Sequence, residues 1–255
     1  MTETTYRVIV TGADSTARTI VETFAQNGHS VSACDVRPDA TQALAADNPG
    51  VFAQQANMGV EADVKTFMDA AIKHMGGVDF LINVVGIAGP TKPTEEISSE
   101  EWAQSIAVNL TGVFLTSQVA IPYLKKQKFG GIVNFSSAST RTLLPNRSPY
   151  IVTKYGVEGL TRNLARELGP HNVRANAILP GGIDNTRLRS VVEKSAQARG
   201  VSVESALEES LQYTSMRSLI TTKELADTIY FLCSDAGRHI SGQLIGVDGN
   251  MEWEE

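Results

Sequence analysis

The chain has 255 residues, of which 42% are hydrophobic and 20% charged, and carries a formal net charge of −6. This length accommodates one large α/β domain with a buried core, and the composition is ordinary for a globular protein. The acidic balance argues against nucleic acid or an anionic membrane surface as a partner, since both want a basic patch, and no uninterrupted apolar run approaches the roughly 20 residues that span a bilayer.

Met1 to Thr5 carry no basic residue and lead directly into an apolar strand pattern, so no signal peptide is expected. Val8 to Val10 form a short strand that ends at Thr11-Gly12. A helical pattern follows, with Ile20, Val21, Phe24 and Ala25 on one face, and Gly28 stops it. Val31 to Asp35 read as a second strand, which completes a β–turn–α–β unit of the dinucleotide-binding type. Val51 to Gln55 read as a strand and 60–75 as a helix with apolar Val64, Phe67, Met68, Ala71 and Ile72. Val78 to Val85 are nearly all apolar, as in a strand buried on both faces.

Helices are expected at about 99–110 and 112–127, a strand at Gly131 to Ser136, and a helix at about 149–168. Strands at Val173 to Leu179 and Gln243 to Val247 bracket a mostly helical stretch at about 186–234. Strands alternating with helices imply a parallel sheet covered on both faces. With no repeat, low-complexity tract or Pro/Gly linker, the expected architecture is a single-domain α/β Rossmann fold over residues 1–255. Its doubly wound parallel sheet has about seven strands. Cys34 and Cys233 are far apart and read as two buried free thiols of a cytoplasmic protein.

Tyr150 and Lys154 lie one helical turn apart, so the phenol and the ammonium share a face. A phenol titrates near pH 10, and a neighbouring cation favours its ionised form, bringing it toward the range of a general base. A Tyr-x-x-x-Lys pair occurs by chance in many helices. Ser137 adds weight, because it follows the apolar run Ile132 to Phe135 and so stands at the C-terminal edge of a strand, where open α/β sheets bind ligands. It precedes Tyr150 by thirteen positions.

These residues, with Thr11-Gly12, Asn83-Val84-Val85-Gly86, Asn109 in Val108-Asn109-Leu110-Thr111-Gly112, Asn176 to Gly181 and Val247-Asp248-Gly249, resemble the short-chain dehydrogenase/reductase family over essentially the full chain. The resemblance implies that Tyr150 is the general acid/base, with Ser137 hydrogen-bonding the same substrate oxygen. Lys154 would bind the nicotinamide ribose and act on the tyrosine, and Asn109 would help hold a relay water. It also implies a dinucleotide site formed by Gly12, Ser15, Thr16, Ala17, Asp35, Asn57, Met58, Asn83, Val85, Gly86, Pro180, Gly181, Ile183 and Asn185, together with Tyr150 and Lys154. No metal is implied, since His29, His74, His171 and His239 form no ligand cluster. Family members are usually homotetramers that pair through two long helices and the last strand.

The phosphate loop departs from the family's Thr-Gly-x-x-x-Gly-x-Gly, placing Thr16 and Arg18 where the second and third glycines stand. Two readings follow. Either cofactor affinity has been lost, or Thr16, helix-terminal N–H groups and Arg18 bind the phosphates instead. Asp35 ends the second strand, where a carboxylate accepts from the ribose hydroxyls and repels a 2′-phosphate, so NAD is the expected cofactor, with Arg37 close enough to soften the preference. Asp63-Val64 resembles the family's adenine-contacting pair, but Asn57-Met58 matches that position better. Asn185 and Thr186 both follow Pro180-Gly181 where one of them would reach the carboxamide.

On the substrate side, residues 186–216 suit a two-helix lid of the kind found in dehydrogenases of small hydroxy acids. Arg141, Arg147, Arg187 and Arg189 are either surface charges or, in part, a carboxylate clamp. Ser139 and Leu144 join Ser137, Tyr150, Arg141 and Arg187 as candidate substrate contacts. Leu143 and Trp102 are further candidate walls, with a core position the default for Trp102. The expected activity is NAD-dependent interconversion of a secondary alcohol, a small hydroxy acid or cyclic alcohol among them, and its ketone. A catalytically weak dinucleotide sensor and a cofactor-free lyase of the halohydrin-dehalogenase type are the alternatives.

Overall fold

The computed structural model describes residues 5–251, apart from the side chains of Arg187, Val191, Lys194, Ser195 and Ala198. The seven strands are β1 (Arg7–Thr11), β2 (Ser30–Asp35), β3 (Phe52–Gln55), β4 (Phe80–Asn83), β5 (Gly131–Phe135), β6 (Arg174–Pro180) and β7 (Leu244–Val247). They form one sheet in the order β3-β2-β1-β4-β5-β6-β7, and every pair is parallel. The chain winds outward from β1 to β3 and then returns to place β4 on the other side of β1. That reversal is the topological switch point at which such sheets bind ligands.

Successive side chains in each strand point to opposite faces, and both faces are covered. Val8, Val10, Phe80, Ile82, Val133 and Phe135 enter one core, against Ile20 and Phe24 of α1 (Ser15–Gln26). Ile9, Leu81 and Ile132 enter the other, against Phe67 and Met68 of the helix at Glu61–Met75. This two-sided burial makes the strands read as nearly continuous apolar runs.

A helix absent from the sequence reading, α2 (Pro38–Asp47), joins β2 to β3. Its alanines give no clear apolar period, and only Ala40, Thr41 and Leu44 are buried. The next helix, α3 (Glu61–Met75), leads into β4. The two helices expected at about 99–110 and 112–127 are one. In it α4 (Ser99–Ile106) continues through a π-helical segment, Ala107–Thr111, into α5 (Gly112–Gln127). A wider turn of this kind keeps the chain helical, so no break shows in the sequence. Gly112 is needed here, because a Cβ would stand 2.4 Å from the Met58 carbonyl oxygen.

The combined helix, Ser99–Gln127, is long and apolar enough to cross a membrane by length and composition. In the fold it buries Val113, Ala120 and Leu124 within the domain. A single turn, α6 (Ser139–Thr142), precedes the long α7 (Ser148–Leu168). Between β6 and β7 lie α8 (Thr186–Arg199), α9 (Val203–Leu211) and α10 (Thr222–Cys233). Val192 and Ala196 of α8 pack with Ala206 of α9 in a small cluster separate from the two main cores. The C-terminal Glu252 to Glu255 lie outside the described residues.

Candidate active site

A cavity of about 960 Å³ runs along the C-terminal ends of the strands. Gly12, Asp14, Ser15, Thr16 and Ala17 border it after β1, and Asp35, Val36 and Arg37 after β2. Ala56 to Gly59, Val84 to Ile87, Ser136, Ser137, Pro180 and Gly181 complete the sheet side. Tyr150 and Lys154 enter it from α7.

At the end of the cavity beside β1 and β2, Gly12 adopts φ +103°, and a Cβ there would meet the Ala17 Cβ at 2.7 Å. The first glycine of the loop is therefore kept by sterics, whereas Thr16 and Ala17 are buried in the start of α1. The Thr11 hydroxyl accepts from Val84 N–H at 2.9 Å and Val85 N–H at 3.1 Å, tying the turns after β1 and β4 together.

Arg18 is not part of the phosphate loop. Its Nε donates to Glu22 at 2.8 Å and its Nη2 to Asp47 at 2.5 Å, so it joins α1 to α2 outside the cavity. These two carboxylates, Asp47 first, hold its guanidinium still more firmly protonated. The reading in which Arg18 binds phosphate is thereby corrected; Thr16 still borders the cavity.

At the opposite end, Lys154 is buried and donates through Nζ to the Phe135 carbonyl at 2.7 Å. The same Nζ lies 5.6 Å from the Tyr150 ring centroid, and the Arg147 guanidinium lies 4.9 Å from it. Arg147 also donates to the Ala88 carbonyl at 3.1 Å. Ser137 Oγ accepts from Ser139 N–H at 3.2 Å and lies 3.1 Å from Ser139 Oγ, so Ser139 orients Ser137 without itself bordering the cavity. Asn109 and Lys154 meet across Gly86, where a Cβ would stand 3.4 Å from both Asn109 Oδ1 and Lys154 Nζ. The Asn109 side chain is engaged by Ile87 and Thr153, which makes it a support for the β4 loop.

Several expected residues are placed elsewhere. Asn83 is buried and turned into the sheet, donating to Asn134 Oδ1 at 2.9 Å and accepting from Thr116 at 2.8 Å, while Val84, Val85 and Gly86 border the cavity. Asp63 accepts from Asn57 N–H at 3.0 Å, so it shapes the turn that presents Asn57 and Met58. Arg141 is tied to Asp248 at 2.8 Å and does not border the cavity; nor do Leu144, which is half-buried, or Leu143, which is exposed. Arg189 pairs with Asp184, and the Arg187 side chain lies outside the described residues. Trp102 is exposed rather than a core residue. Of Asn185 and Thr186, only Asn185 borders the cavity, beside Ile183, and its side chain caps α8 by accepting from Leu188 N–H at 2.9 Å.

Asp14, Ile87, Gln104 of α4 and Val108 of the π-helical segment also line the cavity and were not expected from the sequence. The i, i+4 spacing of Gln104 and Val108 on one helix face was the available signal. Among the described residues no group of His, Cys, Asp and Glu is placed to hold a metal.

A glycine turn at a helix start, a carboxylate closing β2 and a Ser–Tyr–Lys group at the far end of one cleft define a dinucleotide-dependent oxidoreductase. A family model described as enoyl-(acyl carrier protein) reductase matches residues 10–252. The chain is 32% identical over 250 residues to a 3-oxoacyl-(acyl-carrier-protein) reductase of Thermotoga maritima, covering 95% of this chain and 96% of that protein. A crystal structure of levodione reductase superposes with a TM-score of 0.88 at 29% identity, covering 96% of this chain and 97% of that one. An actinorhodin polyketide ketoreductase crystallised with NADPH shares the fold, with a TM-score of 0.90 at 23% identity over 97% of each chain. The chain belongs to the short-chain dehydrogenase/reductase family, whose members are oxidoreductases that use a nicotinamide dinucleotide.

Proposed function

We propose that this protein interconverts a secondary alcohol and its ketone with NAD, using Tyr150 as general acid/base. The observation that carries the reading is the convergence of Ser137, Tyr150 and Lys154 on one end of a cleft whose other end is closed by Asp35. The relatives named as 3-oxoacyl-(acyl-carrier-protein) and levodione reductases support a carbonyl–alcohol couple.

The residues present fit a dinucleotide. Gly12 allows close approach to the loop, Asp35 offers acceptors to ribose hydroxyls, and Lys154 offers donors beside Gly86. When bound, the nicotinamide supplies hydride acceptance or donation. Tyr150 takes the hydroxyl proton of the alcohol in oxidation and returns it in reduction. Ser137, fixed by Ser139, turns its hydroxyl hydrogen to the same oxygen and steadies the charge that builds there. Lys154, anchored on Phe135, supplies positive charge beside the tyrosine ring.

We assign α8 and α9 as the substrate lid, supported by their small core of their own. A carboxylate clamp from Arg141 or Arg189 is disfavoured by their ion pairs. We assign a cytoplasmic homotetramer. The exposed Phe114 and Tyr123 on α5, with Val152 and Tyr155 on α7, support pairing through those helices, and two buried thiols suit a reducing compartment.

The test is a fluorescence titration with NADH and NADPH, followed by a screen of secondary alcohols with NAD. Binding of NADH in preference to NADPH, with turnover of an alcohol, is expected. No binding of either nucleotide at millimolar concentration overturns the reading, and binding without turnover supports the sensor alternative that the altered loop suggested.

A further inference from the structure

The turns after β1 and β2 are stapled together by charge. Asp14, the N-cap of α1, uses both carboxylate oxygens. Oδ1 accepts from Ser15 N–H at 2.8 Å, and Oδ2 accepts from Arg37 Nη2 at 2.7 Å. Asp35 likewise accepts from Ala13 N–H at 3.1 Å and from Arg37 N–H at 3.0 Å. The Arg37 Nε stands 3.8 Å from Asp35 Oδ1, so the guanidinium itself is hydrogen-bonded to Asp14 rather than to Asp35. Asp14 is the largest influence on the Arg37 charge, with Asp35 and Asp39 weaker ones. Asp14, Asp35 and Arg37 all border the cavity at its adenosine end.

Arginine is the side chain best shaped to bind a phosphate with two parallel hydrogen bonds. Here it stands beside the carboxylate that closes β2, where a 2′-phosphate on the adenosine ribose would arrive. Asp35 leaves such a guanidinium available, whereas Asp14 occupies its Nη2.

We propose that Asp14 tunes the cofactor selectivity of this protein by holding Arg37 in an ion pair, so that the site favours a dinucleotide with a free 2′-hydroxyl over one with a 2′-phosphate. The proposal rests on the NAD-preferring reading above. An incoming 2′-phosphate competes with Asp14 for Arg37 while repelled by both Asp14 and Asp35. A 2′-hydroxyl needs neither step and meets the remaining acceptor capacity of Asp35. Asp14 also stands at the helix start nearest the phosphates, so its charge weakens binding of both cofactors. The ratio of their affinities isolates the part that acts through Arg37.

The test is equilibrium binding of NADH and NADPH to the wild-type chain, Asp14→Asn, Arg37→Gln and the double variant, read by fluorescence without turnover. Asparagine keeps an N-cap acceptor, so α1 retains its start. Asp14→Asn is expected to raise the NADPH-to-NADH affinity ratio about fivefold, the scale of one exposed ion pair, and Arg37→Gln in the same chain is expected to abolish that gain. A ratio unchanged by Asp14→Asn, or a gain that survives Arg37→Gln, overturns the proposal while leaving NAD preference intact. A wild-type chain that binds neither nucleotide, or prefers NADPH, overturns the underlying reading and the proposal with it.

Discussion

Asn109 binds the backbone of Ile87 in both directions. Its Oδ1 accepts the Ile87 N–H at 2.7 Å, and its Nδ2 donates to the Ile87 carbonyl at 3.0 Å. The residue sits in the π-helical segment and is fully buried, so the wider turn holds the loop after β4 against the cleft. Asn109→Leu leaves two half-buried backbone groups unpaired and is expected to cost about 1–3 kcal/mol of stability. Denaturant unfolding measures this, and alcohol turnover is expected to fall with it because Ile87 borders the cavity.

The partners of Arg18 make it a structural residue. Arg18→Ala is expected to leave NADH affinity unchanged and to lower stability by at most about 1 kcal/mol, since both its ion pairs are surface pairs. A large loss of NADH affinity in the titration would return Arg18 to the phosphate site.

Arg141 is held by Asp248, whose side chain is only 6% exposed. Arg141→Met is expected to lower the unfolding free energy by about 1–3 kcal/mol, because it leaves the buried Asp248 carboxylate unpaired, and to leave the KM for substrate unchanged. A rise in KM with unchanged stability would instead mark Arg141 as a substrate contact.

Burial pushes the thiols of Cys34 and Cys233 up to about 12. A thiol ionises more readily in the unfolded chain than in this core. The stability it contributes is therefore full below the ordinary thiol pKa and declines as pH rises from there toward 12. Stability is expected to fall progressively above about pH 9. Both thiols are expected to resist a thiol reagent near neutral pH until the chain unfolds; labelling of the folded protein would contradict their placement.

Much of the site was legible because its signals are local. Tyr150 and Lys154 share one helix, and Ser137 and Gly12 each follow a strand. The strands were legible because Val8, Ile9 and Val10 are buried alternately on two faces, leaving no polar position between them. What escaped depended on distant partners or on patterns without contrast. Arg18 and Arg141 looked available until Asp47 and Asp248, 29 and 107 residues away, were placed beside them. Asn83 belongs to a buried polar chain with Asn134 and Thr161, on elements that sequence proximity does not connect. The alanine-rich α2 offers too few apolar side chains to mark a face, and a π-turn has the same composition as the helix around it.

In the proposed reaction the Tyr150 hydroxyl moves the proton while the rest of the cleft holds the nucleotide. The most direct measurement pairs steady-state turnover of an alcohol with NADH binding in Tyr150→Phe. A fall in kcat of about a hundredfold or more with NADH affinity unchanged is expected, because only the acid/base group is removed. Turnover that persists in Tyr150→Phe, or nucleotide binding that is lost with it, would contradict that assignment.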